Sequence, residues 1–263
     1  MRERLLEVIP GSISEAMLRL NRRVASGTNI SFYHELRRIH LEIDQAERVM
    51  QGPFKGTRMT PQLRGNWLKQ VLGTYEKEAW PAVEQICERS PDLVVNVGAA
   101  AGYYSIGLAR RLPKTRVVAF EGQRLWRHMH QRNARANAVA DRIDLRGSCT
   151  PADLRAVTDS VARPAVLVDC EGGEDLLLDP IKIPALTRSI IMVELHDCLC
   201  IGVSARLRER FLESHRIEEF AIERRTLADL PGSCTLRSAD AMLAMDERRQ
   251  VYPQHIWLMT PHD

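Results

Sequence analysis

The chain is poor in aromatic residues, at 5% of 263 positions, and has neither an apolar run of membrane-spanning length nor a block of charge of one sign. Each absence excludes something. The longest apolar stretch, VVNVGAAAGYYSIGLARRL from 94 to 112, is broken by Asn96, by glycines and by tyrosines. It falls short of the roughly 20 apolar residues a membrane helix needs, so no membrane partner is expected. The first residues carry Arg2 and Arg4 without an apolar block of signal-peptide length, and a cytoplasmic protein is the expectation. The net charge of +3 comes from 37 basic and 34 acidic residues that are interspersed. No basic stripe is left for nucleic acid. Six cysteines lack paired metal-knuckle spacing; Cys198-x-Cys200 has no matching pair, and all six are expected to be reduced, mostly buried thiols. No internal repeat points to a solenoid. What remains is an ordinary globular composition, 44% hydrophobic and 27% charged, in a chain long enough to bury a large core.

Two regimes follow one another along the chain. Residues 1–90 read as a helical extension without strands. Ile13, Met17, Leu20 and Val24 recur at helical spacing, as do Leu36, Ile39, Ile43 and Met50 after a Ser31 cap. A loop at 51–60 leads to Thr60-Pro61, a helix start with Leu63, Trp67 and Val71 on one face, and a further helix is expected over 75–89, limited or kinked by Pro81. From 91 to 263 short apolar runs alternate with helices, which predicts a doubly wound, mostly parallel sheet in an α/β domain. The expected strands are 93–97, 116–121, 142–147, 165–171, 190–195, 216–225 and 254–260, the last two closing the sheet as an antiparallel hairpin. Helices are expected near 103–111, 124–138, 150–160, 174–179 and 203–214.

Between the first strand and its helix lies Gly98-Ala-Ala-Ala-Gly102. Small residues there let a ligand approach the backbone, and the helix start presents free N–H groups. Ala100 stands where a dinucleotide fingerprint has its middle glycine, so close approach of a pyrophosphate is not provided for. Glu121 ends the second strand about 20 residues on, where a carboxylate can accept from both ribose hydroxyls. Adenosine without a diphosphate fits this pair. The competing readings are helix-to-strand packing for the glycines and a solvated strand end for Glu121.

These residues, VVNVGAAAGYYSIGLA, VVAFEGQ, VLVDCEGGEDLLL and IIMVELHD, resemble the class I S-adenosylmethionine (SAM)-dependent methyltransferases, and within them the FkbM-type O-methyltransferase family. The resemblance covers residues 72 to 215. It implies a seven-stranded Rossmann-like sheet, SAM as methyl donor and transfer to an oxygen of a small-molecule acceptor. Gly98, Gly102 and Glu121 match the family's cofactor motifs, Tyr104 and Ser105 fall beside the methionine portion, and Tyr75 lies in a segment that such enzymes fold over the cofactor. Asn96 departs from the pattern, which has Asp there; an amide still offers hydrogen bonds to the methionine amino group but brings no charge.

Asp169 and Glu171 end one strand at a spacing of two, and Glu194 and His196 repeat that spacing on the next, followed by Asp197. Residues two apart share one side of a strand, and neighbouring strands lie about 4.8 Å apart. Four carboxylates and an imidazole are thereby expected beside the donor methyl, with His196 as general base, Asp169 and Glu194 assisting, and Asp169, Glu171, Glu194 and Asp197 as candidate ligands for Mg2+ or Ca2+. The plain alternatives are turn and cap hydrogen bonds for Asp169 and Glu171, and a solvated strand end for the other three. Gly172-Gly173 reads as a tight turn into Glu174, a first-turn acid favoured by the helix dipole. Tyr75 and Glu76 are either ligand contacts or a helix start, Trp126 and His128 surface or packing residues, and Asn137 a helix cap.

The function expected is a SAM-dependent O-methyltransferase, whose N-terminal extension and loops after 196 and 225 complete the acceptor pocket. A non-catalytic module with this fold and a nicotinamide-dependent oxidoreductase are the alternatives. An enzyme should also bind S-adenosylhomocysteine (SAH), its product. The apolar faces of residues 12 to 50 fit either internal packing or a homo-oligomer.

Overall fold

The computed structural model describes residues 48–60, 66–247 and 255–262. The helices expected between 12 and 47, and the Pro61 helix start, lie outside these residues. Seven strands form one sheet: β1 (Leu93–Val97), β2 (Arg116–Phe120), β3 (Ile143–Arg146), β4 (Pro164–Val168), β5 (Ile190–Leu195), β6 (His215–Phe220) and β7 (His255–Pro261). Their order is β3-β2-β1-β4-β5-β7-β6. The first five pair in parallel, and β7 runs antiparallel between β5 and β6. This is the doubly wound sheet with a final antiparallel hairpin that the alternating pattern predicts.

The crossover helices are α3 (Tyr103–Arg111), α4 (Arg124–Ala136), α5 (Pro151–Thr158), α6 (Glu174–Leu177) and α7 (Val203–Phe211), preceded in the chain by α1 (Trp67–Leu72) and α2 (Trp80–Arg89) and followed by α8 (Ser238–Met245). Period-two alternation divides the strand residues between two cores. Val95, Val97, Val166, Val168, Ile191 and Val193 pack with α5 and α7, whereas Val94, Leu167, Met192 and Leu258 pack with α1 to α4 and α8. The described part of the N-terminal segment belongs to this second core: Val49, Phe54, Met59 and Trp67 are buried in it.

Four expectations change. The helix expected from 75 begins at Trp80 after a 3-10 turn, because Pro81 lacks an N–H and belongs in a first turn rather than an interior. The strand expected over 216–225 stops at Phe220, where pairing with β7 ends at Ile256. Beyond it, the segment read as irregular contains α8, whose Ala, Leu and Met residues favour helix but give no polar face, since Asp240, Ala241, Ala244 and Met245 are all buried. The six cysteines form no disulfide, but the expected burial fails: five are half-buried and Cys198 is exposed. No helix among the described residues is long and apolar enough to cross a membrane.

Candidate functional site

Strand order turns round between β1 and β4, the place where ligands bind in open α/β sheets. Register aligns Asn96 with Leu167, and Leu167 with Met192. Counting on by twos keeps Asn96, Asp169 and Glu194 on one face at the C-terminal ends of three adjacent strands. They line a cavity of about 50 Å³ together with Gly98, Ala100, Tyr75, Glu76, Tyr103, Tyr104 and Gln70. Asn96 is 4% exposed and Glu194 7%.

The glycine turn is built for the protein as much as for a ligand. Gly98 has φ of 81°, and a Cβ there would lie 1.6 Å from the backbone oxygen of Asp169. The end of β4 can approach only because that side chain is missing. Gly98 and Ala99 both donate their N–H to Phe120 O at 3.0 Å, tying the turn to β2. Glu121 extends the tie: Oε2 accepts from Ala100 N–H at 2.9 Å and Oε1 from Gln123 N–H at 2.6 Å. A carboxylate has about four acceptor positions, so two remain for a ligand's hydroxyls.

The wall opposite the sheet is the segment 73–79. Glu76 sits in the left-handed region with φ of 47° and is 3% exposed. It accepts from the Tyr104 hydroxyl. Burial, then the Glu76 charge, raises the Tyr104 pKa well above its ordinary value, so the phenol remains a donor. Tyr104 and Tyr75 each meet Tyr103 edge-on, at 5.4 Å between centroids. The segment is held from outside. Arg225 donates from Nε to Thr74 O at 2.8 Å and from Nη2 to Glu78 and to Glu247, the latter at 2.7 Å, while Glu247 also accepts from Glu76 N–H at 3.3 Å. The loop after 225 thus reaches the site through this buried triad.

Six predicted site residues are not on the cavity wall: Glu121, Glu171 and the following four. Gly102 is the N-cap of α3, off the cavity wall, where a Cβ would press on His130 Cδ2 at 2.8 Å. Ser105 turns the same way and lies 2.6 Å from His130 Nε2, because position 105 is on the inner face of α3. Asp197 accepts from the Ser204 hydroxyl at 3.0 Å and belongs to the turn entering α7. His196 is 1% exposed and sits behind the wall. The strand ends at Leu195, so the alternation that aims Glu194 into the cavity no longer governs it.

His196 instead pairs through Nδ1 with Glu174 Oε1 at 2.9 Å. Glu174 is the partner that sequence reading missed: its position after Gly172-Gly173 suggested only a first-turn acid. Fully buried, it also accepts from Gly172 N–H at 3.2 Å and Cys170 N–H at 3.3 Å, fixing the turn that carries Glu171. Burial opposes charge on both partners, but their mutual hydrogen bond and the nearby charges win: the Glu174 pKa falls below and the His196 pKa rises above the ordinary value. Nε2 of His196 faces Asp169 Oδ1 at 3.8 Å and Glu171 Oε2 at 3.7 Å. The polar residues thus form two groups sharing Asp169: Glu76, Asp169 and Glu194 on the cavity wall, and Asp169, Glu171 and His196 beside it, the last two off the wall. Trp126 is half-buried against the core, His128 is exposed, and Asn137 caps α4 while bonding Arg58 from both ends of its amide.

His130 carries a prediction of its own. Burial pushes its pKa down from 6.5 to about 4, so it stays neutral in the fold until near pH 4 while the unfolded chain takes a proton at 6.5. The stability this neutral histidine shares in is complete above pH 6.5 and is lost as pH falls toward 4. The loss is roughly 3 kcal/mol, at about 1.36 kcal/mol for each pH interval of one between the two values. Urea unfolding at pH 7.5 and 4.5 should show a loss that is smaller by about that amount in His130→Gln; equal losses in both proteins would remove His130 as the cause.

No protein-family model and no curated protein matches the chain. Solved structures do. An O-methyltransferase from Bacillus cereus in complex with SAH is 14% identical, with 92% of this chain and 97% of that one covered at a TM-score of 0.43. The O-methyltransferase TomG from Streptomyces achromogenes, involved in tomaymycin synthesis and solved with SAM, is 15% identical over 92% and 96%, with a TM-score of 0.45. Precorrin-6y C5,15-methyltransferase from Geobacter metallireducens is 12% identical over 70% and 88%, also at 0.45.

Proposed function

We propose that the protein is a SAM-dependent methyltransferase of the FkbM type that methylates an oxygen of a small-molecule acceptor. The observation that carries this is the set of Asn96, Glu76, Asp169 and Glu194 around one cavity, entered past the Gly98 turn with Glu121 at its edge. SAM is a cation at its sulfonium and at its ammonium group, and three carboxylates suit both. They also answer the loss of charge at Asn96, because the acids around it supply what an Asp at 96 would have added. A nicotinamide dinucleotide brings two phosphates, which the same acids repel.

Glu121 is assigned to the ribose hydroxyls through its two unused acceptor positions, and Asn96 to the methionine amino group. Tyr75, Tyr103 and Tyr104 exclude water from the donor. In the reaction a lone pair of the acceptor oxygen attacks the methyl carbon in line, the carbon–sulfur bond breaks, sulfur keeps the pair, and the hydroxyl proton passes to the Asp169 carboxylate on the cavity wall. His196 does not line the cavity and is not placed as a lone base; the acceptor is assigned to the side of Asp169 where Glu171 and His196 cluster.

Calorimetric titration with SAH tests the reading. Wild type should bind, and Glu121→Ala should weaken binding about 100-fold, since it removes charge-assisted hydrogen bonds worth roughly 1.5–3 kcal/mol each and frees two loop N–H groups. Absence of SAH binding by wild type would overturn the enzyme assignment and bring forward the non-catalytic module.

A further inference from the structure

We propose that Asp169, Glu171 and His196 bind one divalent transition-metal ion, with Glu174 holding the imidazole from behind. Asp169 Oδ1 and Glu171 Oε2 lie 3.8 and 3.7 Å from His196 Nε2, and the three residues offer ligand atoms within 4.8 Å of one another. The independent observation is Nε2 itself. His196 is 1% exposed, yet this nitrogen makes no hydrogen bond and is aimed at both carboxylates. Buried polar atoms ordinarily make hydrogen bonds, and both carboxylates stand beyond that reach at 3.7 and 3.8 Å; a metal ion that displaces the ring proton would bind the nitrogen and both acids at once. On the far side of the ring, Nδ1 is bonded to the buried Glu174 at 2.9 Å. A carboxylate behind a histidine fixes its ring orientation and raises its strength as a ligand, which is how metal-binding histidines are normally supported.

The donor set selects the ion. One imidazole with two carboxylates suits Mn2+, Fe2+ or Zn2+, whereas Mg2+ and Ca2+ prefer oxygen alone. The other acidic group, Glu76, Asp169 and Glu194, has no nitrogen donor, and Glu76 is engaged by Tyr104 and held through Glu247. Exposure agrees, because the Asp169 and Glu171 side chains are 40% and 67% exposed while His196 is enclosed. Asp169 belongs both to this cluster and to the cavity wall. An ion here therefore bears on the acceptor hydroxyl, whose pKa it lowers, and this catalytic consequence rests on the methyltransferase reading. The binding site itself does not.

Mn2+ is the probe, since exposed Cys198 would attract Zn2+ without a site. Full-length protein stripped with EDTA is titrated by calorimetry and electron paramagnetic resonance. One Mn2+ per chain should bind, and a tenfold excess of Mg2+ should not displace it. His196→Ala and Glu171→Ala should each weaken binding at least 100-fold, Glu174→Gln about 10- to 100-fold, and Glu194→Gln less than threefold. Glu171 is exposed, so Glu171→Ala should melt at the wild-type temperature and serve as the folded variant. No Mn2+ binding, equal competition by Mg2+, or undiminished binding in Glu171→Ala would overturn the site. SAH titration of the same preparation separates the two readings: Mn2+ without SAH sinks the enzyme but supports the metal site, and SAH without Mn2+ does the reverse.

Discussion

Gly98→Ala is expected to abolish the native fold or cost more than about 4 kcal/mol, the range reached when backbone strain and overpacking act together. Its new Cβ would stand 1.6 Å from the backbone oxygen of Asp169, nearly a bond length, at a φ of 81° that alanine resists. Neither obstacle is a flexible side chain that can swing aside. Either β1 and β4 separate at their C-terminal ends or the turn is rebuilt, and in both cases Asp169, Asn96 and the Glu121 anchor lose their register. Gly147→Ala is the control, since no atom lies within 4 Å of its Cβ position, and its stability should stay within about 0.5 kcal/mol of wild type. Thermal melts and soluble yield decide between them; a Gly98→Ala protein with wild-type stability would show that the β4 approach is not a requirement of the fold.

Arg225→Ala should be nearly as damaging. The Arg225, Glu78 and Glu247 side chains are 6%, 4% and 7% exposed, and removing the cation leaves two buried carboxylates facing each other. Breaking a buried pair by deleting one partner costs about 3–5 kcal/mol, which in a chain of this size lowers the melting temperature by roughly 6–20 °C. The same change frees Thr74 O and loosens Glu247 from Glu76 N–H, so SAH affinity should fall as well. Adding Glu78→Gln and Glu247→Gln to Arg225→Ala should restore part of the stability, because the uncompensated charge is then gone. The exposed pair Arg163 and Asp92, with side chains 65% and 36% exposed, supplies the contrast: Arg163→Ala should cost less than about 1 kcal/mol. If both arginine variants melt alike, the triad is not what holds the 73–79 segment.

The strands were legible to within a few residues because burial leaves a pattern: LVVNV and IIMVEL are β1 and β5 at the predicted boundaries. Asn96, Asp169 and Glu194 followed, since alternation on a paired strand fixes the side to which a residue points. Legibility ended where pairing ended. Glu171 and His196 extend the same spacing, but no ladder constrains the chain beyond Val168 and Leu195, and local turns decide their places. Ser105 shows a related limit: the resemblance implies a place beside the methionine portion, while its phase on α3 puts it against His130.

Periodicity and composition by themselves determined the layered sheet, its closing hairpin and the gathering of Asn96, Asp169 and Glu194 at the C-terminal ends of β1, β4 and β5, because these depend on repeated, local choices between apolar and polar residues. Only tertiary structure decided that Glu174 serves His196, that Arg225 and Glu247 hold the wall of the cavity, and that Gly98 makes room for Asp169. Those three contacts join residues 22, 151 to 171 and 71 positions apart in pairs unlike any repeat. The physical reason is that a single buried charge or a missing Cβ is settled by whichever group the completed fold brings within about 3 Å, and no stretch of sequence around either partner names the other.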